Sequence, residues 1–264
     1  MRTPDTAVNE PAGRELSLPA DSWSLYNIKG TKTPLKISPH NGGVKLFSNE
    51  SVGVYWHKVD IDTSREPLLA WRWQVSRMFE ASSPWVTETD NFPARVLIGF
   101  DASWDDADPV ALSFKQKVED ATGQSPPSRA ICYTFGGGLS SNEAVDGSFG
   151  SGRVAVINLR NASAGVNKWR RELRDIESDY QAVFQLKAPR VSMLGIACDT
   201  HLVGGEASAM FSGFTLYPAS ARELLSNQVQ PEALGPSRWR LMMLVLSSLV
   251  AALIAGMWLR RKLT

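Results

Sequence analysis

From Trp23 to Tyr217 the chain is cut into short apolar or alternating runs, and this rhythm restricts the fold more than any other feature. "GGVKLFS" follows the turn signal "PHNGG", and "GVYWHKVDI" and "LLAWRWQV" are separated by "DTSREP". Then come "ARVLIGF", "RAICYTF", "RVAVINLR", "RVSMLGIACD" and "SAMFSGFTLY". Each run has strand length, and Gly, Pro, Asn or Asp isolates most of them. Such a series predicts an all-β, two-sheet antiparallel sandwich of jelly-roll or galactose-binding-like type. Strand–helix alternation and a glycine-rich nucleotide fingerprint are both missing, which disfavours a doubly wound fold.

One stretch breaks the rhythm. In "KWRRELRDIESDYQAVFQLK", Trp169, Leu173, Ile176, Tyr180, Val183 and Phe184 recur at spacings of three and four. That spacing predicts one amphipathic helix, with Arg170, Arg171, Arg174, Asp175 and Glu177 in solvent and an Arg171–Asp175 pair one turn apart. Pro189 ends it.

The two ends differ from the middle. Residues 1–20 are polar and Pro-bearing, lack the apolar segment of a signal peptide, and read as a flexible lead-in to a domain over 21–217. Residues 218–237 carry Pro218, Pro231, Gly235 and Pro236, and read as a linker with one helical turn near Arg222 to Leu225. Leu241 to Leu259 then run without a charge. As a helix, this run spans roughly 28 Å, close to the thickness of a bilayer's hydrocarbon core. Arg238, Arg240, Arg260, Arg261 and Lys262 flank it, and Trp239 and Trp258 stand where interfacial aromatics belong. Residues 238–262 are therefore expected to anchor the chain in a lipid bilayer. The basic flanks nearly balance: the denser cluster after the span favours an exported domain, and the lack of a signal segment favours a cytoplasmic one.

Net charge is +1, so no global field recruits nucleic acid. Two cysteines, Cys132 and Cys198, sit in apolar runs and read as buried thiols rather than a disulfide. Three histidines and no CxxC spacing leave few zinc ligands, and no cofactor motif is present. Asp101, Asp105, Asp106 and Asp108 share one segment, but their spacing is not that of a calcium loop, and a solvated acidic loop is the simpler reading.

Alternation in "LLAWRWQV" places Leu69, Trp71, Trp73 and Val75 on one face and Ala70, Arg72 and Gln74 on the other. Tryptophans flanked by Leu and Val read as core rather than as a ligand platform. Arg72 and Gln74 then face the opposite way, and Arg95 joins them if the two strands are neighbours. Such a groove suits a carboxylate-bearing or hydroxylated ligand through forked hydrogen bonds. The alternative is that these arginines pair with Asp60, Asp62 or Asp90. His57 and His201 lack a marked nucleophile as partner.

In order, "VDIDTSREPLLAWRWQV", "TDNFPARVLIGF", "RAICYTF", "KWRRELRDIESDYQAVF" and "SMLGIACDTHLVGGEASAMFSGFTLY" resemble a bacterial family, the domain of unknown function numbered 3047. The residues that carry the resemblance are Trp71, Arg72 and Trp73; Asp90 and Arg95; Trp169, Glu172 and Arg174; Asp179 and Tyr180; Asp199 and Thr200. The chain departs from the pattern after Asp199, where the family has a further acidic residue and Asn before Thr, and at Gly213, where the family has aspartate. If those acidic groups form one polar or metal site, this chain has lost part of it. The resemblance implies an envelope-associated sandwich, commonly exported, without an established activity.

These readings converge on a membrane-anchored, non-catalytic binding or scaffold domain of the bacterial inner membrane, on its periplasmic side, that recognises a glycan or an envelope protein. Its candidate binding residues are Arg72, Gln74, Arg95, Asp90, Asp199 and Thr200. The alternatives are a carbohydrate-active lyase or hydrolase using Arg72, Arg95 and His57, and a structural subunit of a membrane complex.

Overall fold

A computed structural model describes residues 11–228, apart from 19–21, 28–32, 85–86, 139 and 148–151. Its strands are β1 (Arg14–Glu15), β2 (Trp23–Asn27), β3 (Lys36–His40), β4 (Gly43–Asn49), β5 (Gly53–Ile61), β6 (Leu68–Val75) and β7 (Ala94–Phe100). After helix α1 (Pro109–Thr122) come β8 (Arg129–Phe135), β9 (Glu143–Asp146), β10 (Val154–Arg160) and β11 (Arg170–Asp175). Helix α2 (Ile176–Phe184), β12 (Val191–Ala197), β13 (Glu206–Tyr217) and the single turn α3 (Arg222–Leu225) complete the order.

These strands form an all-β, two-sheet sandwich. One sheet runs β11-β6-β13-β4-β3, with β1 also on β13, and the other β2-β5-β12-β7-β8-β10-β9. One pairing departs from the expected antiparallel scheme: β10 lies parallel to β8, with Val156 opposite Cys132. The short strand β9 fills the outer edge beside β10, so the chain returns to β8 from the far side.

The sheets meet on aromatic rings. Trp71 and Trp73 are 0% exposed, as alternation along β6 requires. They pack edge to face on each other at 5.5 Å between ring centroids. Across the interface Trp71 meets Tyr133 at 5.4 Å and Trp73 meets Phe135 at 5.3 Å, both from β8 of the opposite sheet. Truncating one such ring to alanine costs about 3–5 kcal/mol. Trp73 also donates Nε1–H to Glu172 Oε1 at 2.7 Å, which satisfies its polar end.

The segment expected as a single helix is a strand followed by a helix. Residues 170–175 pair with β6, placing Glu172 opposite Trp71 and Arg174 opposite Leu69. The period is therefore two, and Arg170, Glu172 and Arg174 turn toward the sheet interface instead of solvent. Arg174, 1% exposed, donates to both Asp179 carboxylate oxygens, and Tyr133 donates to Asp179 Oδ2 at 2.5 Å. Arg160 grips Glu172 with a two-pronged contact at 2.7 and 2.8 Å. Asp175 does not pair with Arg171. It caps α2 by accepting from the Ser178 N–H at 3.0 Å and binds Arg222, while Arg171 reaches Gln228. The cap explains why the helix starts here: an Asp with an extended backbone satisfies the first free amides.

The expected acidic loop is present, with Asp101, Asp105, Asp106 and Asp108 all exposed, and it leads directly into helix α1. Asp108 caps it by accepting from the Ala111 N–H, Pro109 opens it, and Gly123 ends it in the left-handed region at φ 69°. Asp106 is held by Arg129 and Arg153. Cys132 and Cys198 are buried free thiols, as read from the sequence.

The turn anticipated at Arg222 to Leu225 is present and docked. Ala221 and Leu225 cover Leu68, Ala70, Leu173 and Tyr217, and Arg222 bonds Asp175 and Glu177. No helix among the described residues is long and apolar enough to cross a membrane; the Leu241–Leu259 run and its anchor reading lie outside the described residues.

Asp179→Leu strands the Arg174 charge in the interior, and should lower stability by about 3–5 kcal/mol in a urea titration followed by tryptophan fluorescence. Adding Arg174→Met should recover most of that loss, because the pair is then removed together.

Candidate ligand face

The expected groove of Arg72, Gln74 and Arg95 does not form. Arg72 and Gln74 lie on the outer face of the six-stranded sheet, since their neighbours Trp71, Trp73 and Val75 fill the core. Arg95 lies on β7 in the other sheet, pointing away from the core strip of Val96, Ile98 and Phe100. The chain changes sheets between Val75 and Ala94, so strands consecutive in sequence do not pair.

Arg95 belongs to a closed ionic cluster. It is 12% exposed and donates to Asp90 Oδ1 at 2.8 Å, the Asp90 carbonyl at 2.6 Å and Asp199 Oδ2 at 3.4 Å. Its guanidinium lies 4.7 Å from the Phe92 ring centroid. Two carboxylates thus face the one cation, as the pairing alternative anticipated, although the partners are Asp90 and Asp199 only. Thr200 is buried and exchanges a hydrogen bond with Ser48 at 2.8 Å, tying its loop to the end of β4. Asn91, which sequence reasoning missed, does the same work by accepting the Leu202 and Val203 amides at 2.7 and 3.0 Å. Asp90, Asp199 and Thr200 are therefore structural partners of loops. Gly213 is not near them in the fold: it sits at the β13 bulge of the other sheet with φ 65°. The two departures from the family pattern do not share one site, and no cluster among the described residues could hold a metal ion.

An open surface remains around Arg72 and Gln74. Register across the six-stranded sheet aligns Arg171, Arg72, Ser212, Gly43 and His40 in one row. The next row is Gln74, Met210, Lys45 and Ser38, and the third is Ser208, Phe47 and Lys36. The docked C-terminal turn covers the other half of this face, while in these rows Arg72, Ser38 and Lys36 are exposed and Gln74, Met210, Lys45, Phe47 and Ser212 half-buried. Arg72 lies 5.5 Å from the ring centroid of half-buried Trp169, and Lys36 lies 5.9 Å from that of Phe47. Gln74 donates to the Met210 sulfur at 3.4 Å. Trp169, Met210, Lys45, Phe47 and Lys36 were not anticipated here. Alternation in "GGVKLFS" placed Lys45 and Phe47 on one side of a strand, but only the pairing of β13 with both β4 and β6 brings them to Arg72.

Burial pushes the Asp199 carboxyl up to about 6, against the opposing pull of Arg95. An Asp titrates near 3.9 when unfolded, so the folded state holds more protons between about pH 4 and 6. The contribution of this group then falls as pH rises through that window. Asp199→Asn removes it: the stability difference, wild type minus variant, should decline by roughly 2–3 kcal/mol from pH 4 to 7 in paired denaturant titrations. A flat difference contradicts the assignment.

Among solved structures, the chain is similar to the family 11 carbohydrate-binding module of the cellulosomal cellulase Lic26A-Cel5E of Clostridium thermocellum. The identity is 10%, covering 79% of this chain and 95% of that one, with a TM-score of 0.38. It is also similar to the xyloglucanase domain of NopAA, a type three effector from Sinorhizobium fredii, in complex with cellobiose. There the identity is 12%, covering 80% of this chain and 99% of that one, with a TM-score of 0.41. No curated protein sequence matches the chain. The model of the protein-of-unknown-function family DUF3047 matches residues 21–215, and the chain belongs to that family.

Proposed function

We propose that this domain is a non-catalytic recognition module for a carbohydrate, which it takes on the open outer face of the six-stranded sheet. The observation that carries this reading is the co-location of Phe47 and Met210 with Arg72, Gln74, Ser212 and Ser38 on adjoining strands, with Trp169, just before β11, beside Arg72. Sugar rings present apolar C–H faces and hydroxyl rims together, and a surface that interleaves rings with donors meets both. Strands paired on both sides hold these groups more firmly than loops do.

The alternative set of Arg72, Arg95 and His57 is spread over three environments. Arg72 is outside one sheet and Arg95 is outside the other, while His57 stacks on Trp23 at 5.6 Å. Acid–base partners must reach a common substrate, and this arrangement does not support that alternative.

We also propose that residues 238–262 tether the module to the bacterial inner membrane with the face on the periplasmic side, by the charge and length argument made from the sequence. External protease should cleave the domain in intact spheroplasts; full protection there would place it in the cytoplasm.

Affinity electrophoresis of the full chain in non-ionic detergent, through gels containing soluble polysaccharides, tests the recognition reading. At least one polymer should retard the protein, and Trp169→Ala should weaken that binding about tenfold, given the share of binding energy that buried aromatic contacts carry. Lys117→Ala on α1 should leave it unchanged. Retardation by no polymer, or by all of them equally in wild type and Trp169→Ala, contradicts the proposal.

A further inference from the structure

We infer that the ligand of this face is an anionic polysaccharide, such as a linear polymer of uronic acids, bound along a diagonal line of Arg72, Lys45 and Lys36. The inference rests on the carbohydrate reading above and goes further by fixing the charge and form of the ligand.

Three observations carry it. The first is an imbalance of charge. The three outward rows contain Arg171, Arg72, Lys45 and Lys36 and not one Asp or Glu. Along β13 the first acidic position is Glu206, opposite Asn49, whose side chain donates to it at 3.2 Å. Several arginines elsewhere are matched: Arg14 with Glu66, Arg190 with Asp60 and Asp62, Arg222 with Asp175 and Glu177. Arg72, Lys45 and Lys36 form no ion pair among the described residues, whereas Arg171 is already engaged by Gln228. An unpaired cation on an ordinary surface is only solvated, but three across adjoining rows that carry no carboxylate create a local field that favours a polyanion.

The second observation is how these cations are held. The Trp169 ring lies against the Arg72 guanidinium and the Phe47 ring against the Lys36 ammonium. A ring face beside a guanidinium makes no conventional hydrogen bond to its N–H groups, which remain able to donate to a carboxylate. A held side chain also loses less freedom when it binds.

The third is spacing. Strands lie about 4.8 Å apart and alternate residues about 6.8 Å apart, so the register places Arg72 and Lys45 roughly 12 Å apart at their Cα atoms and Lys45 and Lys36 roughly 8 Å apart. The line is about 20 Å long from Arg72 to Lys36 by the same geometry. A small acid cannot bridge it; a chain with repeated carboxylates can. An anionic bilayer fits less well. None of the exposed large hydrophobic residues (Leu25, Val110, Leu112, Phe114, Val166, Leu186, Leu202 and Leu224) lies on the strands of this face, so it offers no wedge to insert between lipids.

The test uses the full chain in non-ionic detergent with three probes: alginate, a neutral linear β-glucan of similar length, and water-soluble glycerophosphate, which carries the anionic headgroup chemistry of a phospholipid without a bilayer for the tail to enter. Alginate should bind about tenfold tighter than the glucan at low salt, with the advantage lost near 0.5 M NaCl, as screening of exposed charges requires. Lys36→Gln with Lys45→Gln should weaken alginate about tenfold and leave any glucan binding unchanged, while Lys36→Arg with Lys45→Arg should retain it. Glucan binding as tight as alginate, and indifferent to salt, would overturn the anionic ligand while the carbohydrate reading stood. Binding of neither polymer would sink both. Glycerophosphate binding more tightly than alginate, or alginate binding unmoved by the glutamine pair, would likewise overturn the inference.

Discussion

The contact between Trp71 and Trp73 on β6 and Tyr133 and Phe135 on β8 is the interaction on which the rest depends. It joins the two sheets at their centres and fixes which side of β6 faces inward. Because side chains alternate along a strand, that choice also fixes Arg72 and Gln74 on the outside. A slip of one residue would expose both indoles and bury a guanidinium, at a cost far beyond the few kcal/mol that separate folded from unfolded.

Charge is managed very differently on the two sides of this seam. Inside, Glu172, Arg174 and Asp179 are buried; each has a charged partner, and each itself bonds to an aromatic residue or sits beside one. Such pairs do little for net stability but penalise any arrangement that leaves one charge alone. On the outer face of the seven-stranded sheet the Arg95 cation is met by two carboxylates, Asp90 and Asp199. On the outer face of the six-stranded sheet, the docked C-terminal turn covers the apolar half and the remaining half keeps cations without counter-charges. That contrast within one molecule is why the carbohydrate reading is placed there and not around Arg95.

Much of the fold was legible because strand signals are local. "GVYWHKVDI", "LLAWRWQV", "ARVLIGF" and "RAICYTF" match β5, β6, β7 and β8 end to end. The buried indoles followed from their Leu and Val companions. The stretch around Trp169 misled because an apolar step of four from Trp169 to Leu173 fits a helix, while an inward Arg–Glu–Arg series at period two looks like a solvated face. The Asp175 cap was the signal that a helix begins only there. Helix α1 carried similar marks in Asp108, Pro109 and Gly123, yet it buries little beyond Ala111, so no strong apolar stripe announced it. The ligand face was half legible: Arg72 and Gln74 follow from alternation, whereas Lys45, Phe47 and Lys36 depend on which strands pair. Pairing between distant segments, like the parallel β8–β10 contact, is set by the tertiary structure and leaves no local trace.

The most direct measurement of the central claim is hydroxyl-radical footprinting of side chains with and without a bound polysaccharide. The two outer faces supply internal controls: Trp169 and Met210 mark the six-stranded sheet, and half-buried Trp56 and Met193, opposite Gly195 and Gly99, mark the seven-stranded one. The account predicts that ligand slows oxidation of Trp169 and Met210 and leaves Trp56 and Met193 unchanged. Protection of Trp56 and Met193 with Trp169 and Met210 still reactive would contradict it.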